Sequence, residues 1–176
     1  MVDYEFGVSL GPISRVDPLK LLEWRNEPSV YRWCRQYEPL ELESHMAWYN
    51  GLHKRTDVKM YAIRDAKDTS IGVCGLTSID MINRRAEFSL YIGPEHHGHG
   101  HGLKVLKTLC AHGFQALGLY HIFGETFDGN PASEIFEKVG FKKEGTRRGF
   151  YFREGKHIDA HLYSILAEEF RKKWRI

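Results

Sequence analysis

The sequence lacks the marks of several protein classes. No apolar run approaches the eighteen or so residues of a membrane span, and residues 1–13 contain no run typical of a signal peptide. The three cysteines, Cys34, Cys74 and Cys110, are far apart, odd in number and without a CxxC partner, a pattern that fits reduced thiols better than a disulfide framework. We therefore expect a cytoplasmic protein with reduced thiols and no membrane contact.

An excess of charge of one sign is also missing. The net charge of the 176 residues is +2, which is too small to indicate a nucleic-acid partner. Hydrophobic residues make up 42% and charged residues 27%, as in ordinary globular proteins. Internal repeats, linkers and low-complexity stretches are absent, so we predict a single domain over residues 1–176.

The first third of the chain predicts one strand and three helices. Apolar residues alternate from Tyr4 to Leu10, as in a half-buried strand. Asp17 and Pro18 form an N-cap and a first helical position for a helix that reaches about Asn26. A short helix is expected over 28–36 and a third one over residues 41–55.

The remaining chain predicts mainly strands. Three alternating segments with short polar turns between 58 and 93 indicate an antiparallel meander, and residues 102–117 form an amphipathic helix. A strand at 121–128, a short helix ended by Gly140 and two strands around 153–156 follow. The basic tail is expected to be a solvated end. The pattern indicates one domain of the α/β (α+β) class.

The most informative segment, residues 91–106, sets a strand, a loop with alternate glycines and a helix in that order. Glycine lets the backbone turn its N–H groups inward, and the helix adds unpaired donors and the positive end of its dipole. Together they predict a phosphate or pyrophosphate site. Neither the Walker pattern nor the dinucleotide fingerprint fits, because Leu103 and Lys104 follow the last glycine and the third glycine of the fingerprint is missing.

The loop, read as His97-Gly98-His99-Gly100-His101-Gly102, resembles the acetyl-CoA motif of the GNAT family of N-acetyltransferases. The segments 84–95 and 130–145 follow the order of that family, and 24–28 and 152–166 resemble its branch of ribosomal-protein, polyamine and amino-sugar acetyltransferases. The resemblance covers nearly the whole chain. It implies a GNAT-like domain with a mixed, mostly antiparallel central sheet of about seven strands flanked by helices.

The resemblance also implies how acetyl-CoA, the co-substrate, is held. The loop N–H groups would hold its pyrophosphate, while the strand around Tyr91 and the side chain of Asn130 would contact its pantetheine arm. Two positions depart from the family pattern, because His97 stands where Gln or Arg is common and Phe136 where a tyrosine often acts as general acid. The predicted cofactor-binding residues are Leu90, Tyr91, Ile92, His97, Gly98, His99, Gly100, His101, Gly102 and Asn130.

Glu87 is the candidate catalytic base. An alkyl amine has a pKa near about 10, so a base must remove its proton before it attacks a thioester. The resemblance places the family's common base near this position, beside the apolar Phe88. The alternative is a solvated glutamate that pairs with Arg84 or Arg85.

Five residues are candidates for contact with the acceptor, because the equivalent helices border the acceptor site in the branch that the chain resembles. The alternative is that the tryptophans are core residues and the arginine pairs with a nearby acid. The predicted substrate-binding residues are Trp24, Arg25, Asn26, His45 and Trp48.

Four histidines at 96, 97, 99 and 101 invite a metal site. Histidines at every second position of a glycine-rich turn need not converge on one point, and no acidic or cysteine ligand completes the set. We therefore predict no metal.

The resemblance predicts acetyl transfer from acetyl-CoA to a primary amine by direct attack in a ternary complex. An amino-sugar nucleotide is the first acceptor considered, with a polyamine or the N-terminus of a ribosomal protein as alternatives. A CoA-binding module without turnover also stays open, because Phe136 cannot act as an acid. The expected partners are a small-molecule amine and, as an open option, a second copy of the chain.

Overall fold

The computed structural model describes residues 2–176, which build one mixed sheet of eight strands with six α-helices around it. The strands are β1 Val2–Asp3, β2 Ser9–Pro12, β3 Lys59–Arg64, β4 Ser70–Asp80, β5 Arg85–Ile92, β6 His121–Phe127, β7 Lys142–Arg153 and β8 Lys156–Leu166. The helices are α1 Pro18–Asn26, α2 Pro28–Tyr31, α3 Leu42–Gly51, α4 His101–Ala111, α5 Ala132–Val139 and α6 Ala167–Trp174. The predicted fold class is confirmed, with eight strands instead of about seven.

The spatial order of the strands is β1-β2-β3-β4-β5-β6-β8-β7. All neighbours are antiparallel except β5 and β6, which run parallel over only three residue pairs, Arg85 with His121 to Glu87 with Phe123. Beyond these pairs the two strands separate, so the second half of β5 pairs only with β4. The predicted meander of β3, β4 and β5 is confirmed.

The larger hydrophobic core lies on the sheet face covered by α4, α5 and α6. Leu106, Leu109 and Cys110 of α4 are fully buried there, as the amphipathic pattern predicts. A five-residue π-helical turn at His112–Ala116 extends α4 before the chain enters β6. A smaller cluster around Leu21 and Trp24 packs α1 against the opposite face.

Three predicted elements differ from the structure. The alternating residues 4–8 are not a strand, because the chain turns between β1 and β2, with Glu5 and Gly7 at positive φ. The second helix ends at Tyr31 instead of about residue 36, and turns and bends follow it. The basic tail is the helix α6, which buries Phe170 completely and whose Trp174 indole N–H donates to Val139 O at 2.9 Å.

Candidate active site

The predicted cofactor loop follows β5 directly. The chain makes a single 3₁₀ turn at Pro94–His96, and Gly98 and Gly100 then adopt left-handed backbone angles with φ of +78° and +71°. The positive φ favours glycine at both positions, because other residues are strained there, although a Cβ would meet no atom within 4 Å. Gly100 is the N-cap of α4, which begins at His101.

The main-chain N–H groups of this loop are available to an anion. Those of His96 and His97 are used by the 3₁₀ turn, which they close by donating to Gly93 O and Pro94 O. Among residues 2–176, nothing accepts from the N–H groups of Gly98, His99 and Gly100, and the first turn of α4 adds its own unpaired donors. The dipole of α4 further favours negative charge here. These features fit the pyrophosphate of CoA.

The gap between β5 and β6 fits an extended arm. Gly93 N donates to Ile71 O on the β4 side, and the N–H groups of a strand alternate between its two edges. The N–H groups of Leu90 and Ile92 therefore face the gap, whereas that of Tyr91 faces β4. Leu90 and Ile92 lie at the gap as predicted, but the main chain of Tyr91 does not, and its side chain packs towards the α1 cluster.

One ring nitrogen of His97 is bound inside the protein. Its Nε2 lies 2.8 Å from Ile92 O and donates to it, so the imidazole ties the loop back to the end of β5. Burial first, and then the positive charges of Lys104 and His99, lower the pKa of His101. At neutral pH His101 therefore adds little positive charge to the loop.

The histidines of the loop do not form a metal site. Within residues 2–176, no group of three or more histidine, cysteine, aspartate or glutamate side chains is arranged to hold a metal ion. His96 packs on Trp24 and His99 lies beside His101 with ring centroids 5.9 Å apart, while His97 is bound to Ile92. The rings are thus held by different neighbours.

Asn130 precedes α5 and uses its carboxamide oxygen to accept from Ala132 N at 3.0 Å. Its backbone oxygen accepts from Ser133 Oγ at 2.9 Å, so the residue fixes the start of the helix. The Nδ2 group makes no hydrogen bond to residues 2–176 and stays free for a ligand.

Glu87 lies at the last paired position before β5 and β6 separate. Its side chain is only 11% exposed, and its carboxylate accepts a hydrogen bond from the guanidinium of Arg35. The partner is therefore neither Arg84 nor Arg85: Arg84 donates to Gly118 O and Arg85 pairs with Asp80. Arg35 lies on the segment between α2 and α3, which the sequence pattern did not connect with β5.

A cavity of about 270 Å³ opens beside Glu87 on the face opposite to α4. Its lining combines charges from β5, β6, β7 and the α2–α3 segment. The charged or titratable residues in the lining are Arg35, Arg85, Glu87, His121, Glu125, Glu144 and Arg147. Of these, only Glu87 was predicted as a site residue, and Arg85 was considered only as its partner; Glu125 within the apolar β6 is a signal that could have been noticed.

Glu125 is a second buried carboxylate in this cavity. Its two oxygens accept from Tyr151 Oη at 2.6 Å and from Arg147 Nη1 at 2.7 Å. Burial first, and then the hydrogen bond to Glu125, raise the pKa of Tyr151 to about 12. The carboxylate of Glu125 is thus held by two fixed groups of β7.

Three of the five predicted acceptor contacts use their polar groups inside the protein, so these predictions are corrected: Trp24, Asn26 and His45. Trp48 is partly exposed, and its contact with the acceptor stays a prediction. Trp24 is 2% exposed and donates its indole N–H to Glu95, where it braces the start of the loop. The carboxamide of Asn26 exchanges two hydrogen bonds with the backbone of Leu40. His45 is buried and its Nε2 donates to Pro18 O at 2.8 Å, while Trp48 packs on the His45 ring.

Arg25, the fifth predicted acceptor contact, has a donor without a partner in the described part of the chain. Its Nη1 is buried and makes no hydrogen bond within residues 2–176. Its guanidinium lies close enough to Tyr91 and Cys34 to oppose the rise in pKa that burial causes in both groups. Arg25 therefore keeps a donor near Tyr91, and its contact with the acceptor stays a prediction.

Phe136 lies where the family often has a tyrosine. It is buried and packs edge-to-face on Phe88 and Tyr163, with ring centroids 5.0 and 5.5 Å apart. It can donate no proton, so it fills the site without the acid function.

The comparison with protein families decides what this arrangement is. The model of the Acetyltransferase (GNAT) domain matches residues 8–142. The chain belongs to the GNAT acetyltransferase family. The matched residues include both the glycine loop and Glu87.

Curated relatives of the chain are N-acetyltransferases. An uncharacterised N-acetyltransferase of Bacillus subtilis, YoaA, is 38% identical over 104 residues, which are 58% of each chain. The chain thus spans little more than half the length of the first relatives that it matches. The spermidine N(1)-acetyltransferase of Escherichia coli K12 is 27% identical over 164 residues, which cover 93% of this chain and 88% of that protein.

The solved structure of spermidine N-acetyltransferase from Vibrio cholerae in complex with CoA and spermine has the same fold. Its TM-score is 0.87 at 26% identity, and the match covers 93% of this chain and 98% of that one. No helix among residues 2–176 has the length and apolar character needed to cross a membrane.

Proposed function

We propose that this protein transfers the acetyl group of acetyl-CoA to a primary amine of a linear polyamine, with Glu87 as the base. One observation carries the proposal: a buried carboxylate stands where β5 and β6 separate and faces a cavity on the side away from α4. The open edge of β5 and the loop N–H groups lead to the same point, as a thioester carrier would require.

The proposed reaction is a direct transfer. The acceptor arrives as an ammonium ion and gives one proton to Glu87, and its nitrogen then attacks the thioester carbonyl. The new C–N bond forms and the C–S bond breaks. The nitrogen must then lose a second proton. This proton converts the departing thiolate to the thiol, because Phe136 has no proton to donate. An N–H of β5 that faces the gap, from Leu90 or Ile92, would stabilise the oxyanion.

Two lines of support favour a polyamine. Relatives that cover almost the whole chain are spermidine N-acetyltransferases, and none of the relatives above supports an amino-sugar nucleotide. The cavity also presents three carboxylates, Glu87, Glu125 and Glu144, to an acceptor with several ammonium groups.

A peptide N-terminus is the second candidate. Arg35, Arg85 and Arg147 line the same cavity, and guanidinium groups suit an acceptor that also carries carbonyl or carboxylate oxygens. A putative ribosomal N-acetyltransferase of Bacillus subtilis, 31% identical over 99 residues, supports this reading.

The test is an acceptor panel that follows CoA thiol release. Spermidine, spermine, short peptides with free N-termini and an amino-sugar nucleotide are compared at equal concentration, and the product is identified by mass. We expect the largest kcat/KM for spermidine or spermine. Preference for a peptide would replace the polyamine by the second candidate. If acetyl-CoA raises the Tm but no acceptor gives turnover, the protein is a CoA-binding module.

We also propose a cytoplasmic location and assembly from at least two copies. A related structure is described as a dodecamer of spermidine N-acetyltransferase from Vibrio cholerae. Light scattering with and without spermidine measures the assembly directly.

A further inference from the structure

The two buried carboxylates of the cavity have partners of different kinds. Glu125 is bound by Arg147 and Tyr151, which both belong to β7. Glu87 has one ionic partner among residues 2–176, Arg35, and that partner comes from a segment without regular structure. The side chain of Arg35 is 57% exposed, whereas that of Glu87 is 11% exposed. The cation on Glu87 can therefore move into solvent while the carboxylate stays in place.

The main chain of Arg35 is held firmly, although its side chain is exposed. Arg153 donates from Nη2 to Arg35 O at 2.8 Å. The guanidinium of Arg153 lies over three rings, with its Cζ 4.6 Å from the centroid of Tyr37, 5.1 Å from Tyr151 and 5.4 Å from Phe127. The hairpin of β7 and β8 thus fixes the position of the Arg35 backbone.

The position of the Arg35 guanidinium is the one that a substrate ammonium needs. A base must lie within hydrogen-bond reach of the proton that it removes. The guanidinium already makes that contact with Glu87 and lines the same cavity. Acceptor and Arg35 therefore compete for one carboxylate.

We propose that Arg35 is a specificity-determining residue, a displaceable cation that occupies the ammonium position on Glu87 until an acceptor replaces it, with Arg153 as its positioning residue. The inference rests on the proposed role of Glu87. Displacement favours acceptors with several positive charges, because another ammonium group can pair with Glu144, whose side chain is 52% exposed, while one takes the place of Arg35. A monoamine has no second charge to offset the lost ion pair.

The remaining charged groups around Glu87 do not duplicate Arg35. Arg85 pairs with Asp80, and Arg147 is bound to Glu125. His121 lies 3.9 Å from Glu144. Each of these groups has its own partner, so removal of Arg35 leaves Glu87 open to the acceptor.

The experiment compares Arg35→Gln and Arg35→Lys with Arg32→Gln, a matched control on the same segment whose guanidinium reaches Glu154 at 4.0 Å. Steady-state kinetics are measured with spermidine and with butylamine. For Arg35→Gln we expect KM to fall about three- to tenfold, with kcat nearly unchanged and the larger relative gain for butylamine. Arg35→Lys should restore most of the wild-type KM, and Arg32→Gln should match the wild type.

A raised KM or a lost kcat in Arg35→Gln would overturn the inference, because Arg35 would then bind the acceptor or hold Glu87 in place. Calorimetry of spermidine binding to the CoA-bound protein separates this result from failure of the proposed function. Tighter binding by Arg35→Gln supports competition even if no turnover is seen, whereas equal or weaker binding by the variant contradicts it. Wild-type protein that binds no polyamine and acetylates none refutes the polyamine acceptor itself.

Discussion

The two halves of the candidate site recognise their ligands by different means. The loop of residues 97–102 offers main-chain N–H groups and uses its side chains little, since His97 is tied to Ile92 O and two glycines take left-handed angles. The cavity at Glu87 is built from charged side chains on four separate elements. The first half needs a local backbone shape, and the second needs residues that are distant in sequence to meet.

This difference sets the order of the expected mutational effects. Removing a reacting group from the cavity should affect turnover, whereas altering the loop should affect affinity for acetyl-CoA. Within the loop, a change of backbone should matter more than a change of side chain.

The largest effect is expected for Glu87→Gln. The amide keeps the shape but cannot accept the ammonium proton, so kcat/KM should fall by about 100- to 1000-fold while KM for acetyl-CoA changes little. Initial rates of thiol release measure it, with Glu168→Gln on the exposed face of α6 as the control. Wild-type turnover in Glu87→Gln would show that another group takes the proton.

Gly100→Ala should raise KM for acetyl-CoA by about tenfold, because a side chain at φ +71° strains the loop and shifts its N–H groups. Gly118→Ala is the matched control, since Gly118 has φ +67° and equally open surroundings but lies after the π-helical turn that follows α4, away from the loop. Both variants should lose similar stability in thermal unfolding. A rise in KM of the same size in both would mean that the loop has no special role.

His97→Ala should change KM for acetyl-CoA by less than about threefold, because the imidazole already donates to Ile92 O and contributes no direct contact. The same thiol-release assay gives the value. An increase of tenfold or more would place the ring on the diphosphate and weaken the contrast between backbone and side chain.

The smallest effect is expected for the pH dependence of folding stability that His45 causes. Burial is the main cause of the lowered pKa of His45, which the hydrogen bond to Pro18 O opposes. A histidine with a lowered folded pKa stabilises the fold above its unfolded pKa of about 6.5, and this contribution is lost as the pH falls through the folded pKa. Urea unfolding should show less stability in mild acid, and His45→Gln should show a weaker pH dependence. An unchanged dependence would exclude His45 as its source.

The sequence predicted the parts of the fold that local pattern controls. The meander, the amphipathic α4 and the end of α5 at Gly140 follow from alternation, helical spacing and a left-handed glycine. The prediction of a solvated tail was wrong because Phe170 and Trp174 pack onto the core, which the charge of the tail does not reveal.

The candidate site was predictable only in part. The glycine loop is visible because its residues are adjacent, and Glu87 because of its position on the strand before that loop. The pairing of Arg35 with Glu87 joins residues that are 52 positions apart through a segment without regular structure. For Trp24 the structure agrees with the alternative of a core tryptophan, whereas the burial of His45 was not foreseen, and the polar atoms of both bind within the protein.

The early end of pairing between β5 and β6 has one more consequence. The opened strand edge lies inside the sheet, with β4 on one flank and β6 and β8 on the other, so a molecule bound to it lies between strands on both sides. Such an opening selects ligands by their cross-section, independently of their charge. A thin, flexible chain with amide groups can enter and complete the missing strand, while a broad, rigid molecule is excluded however well its ends would bind.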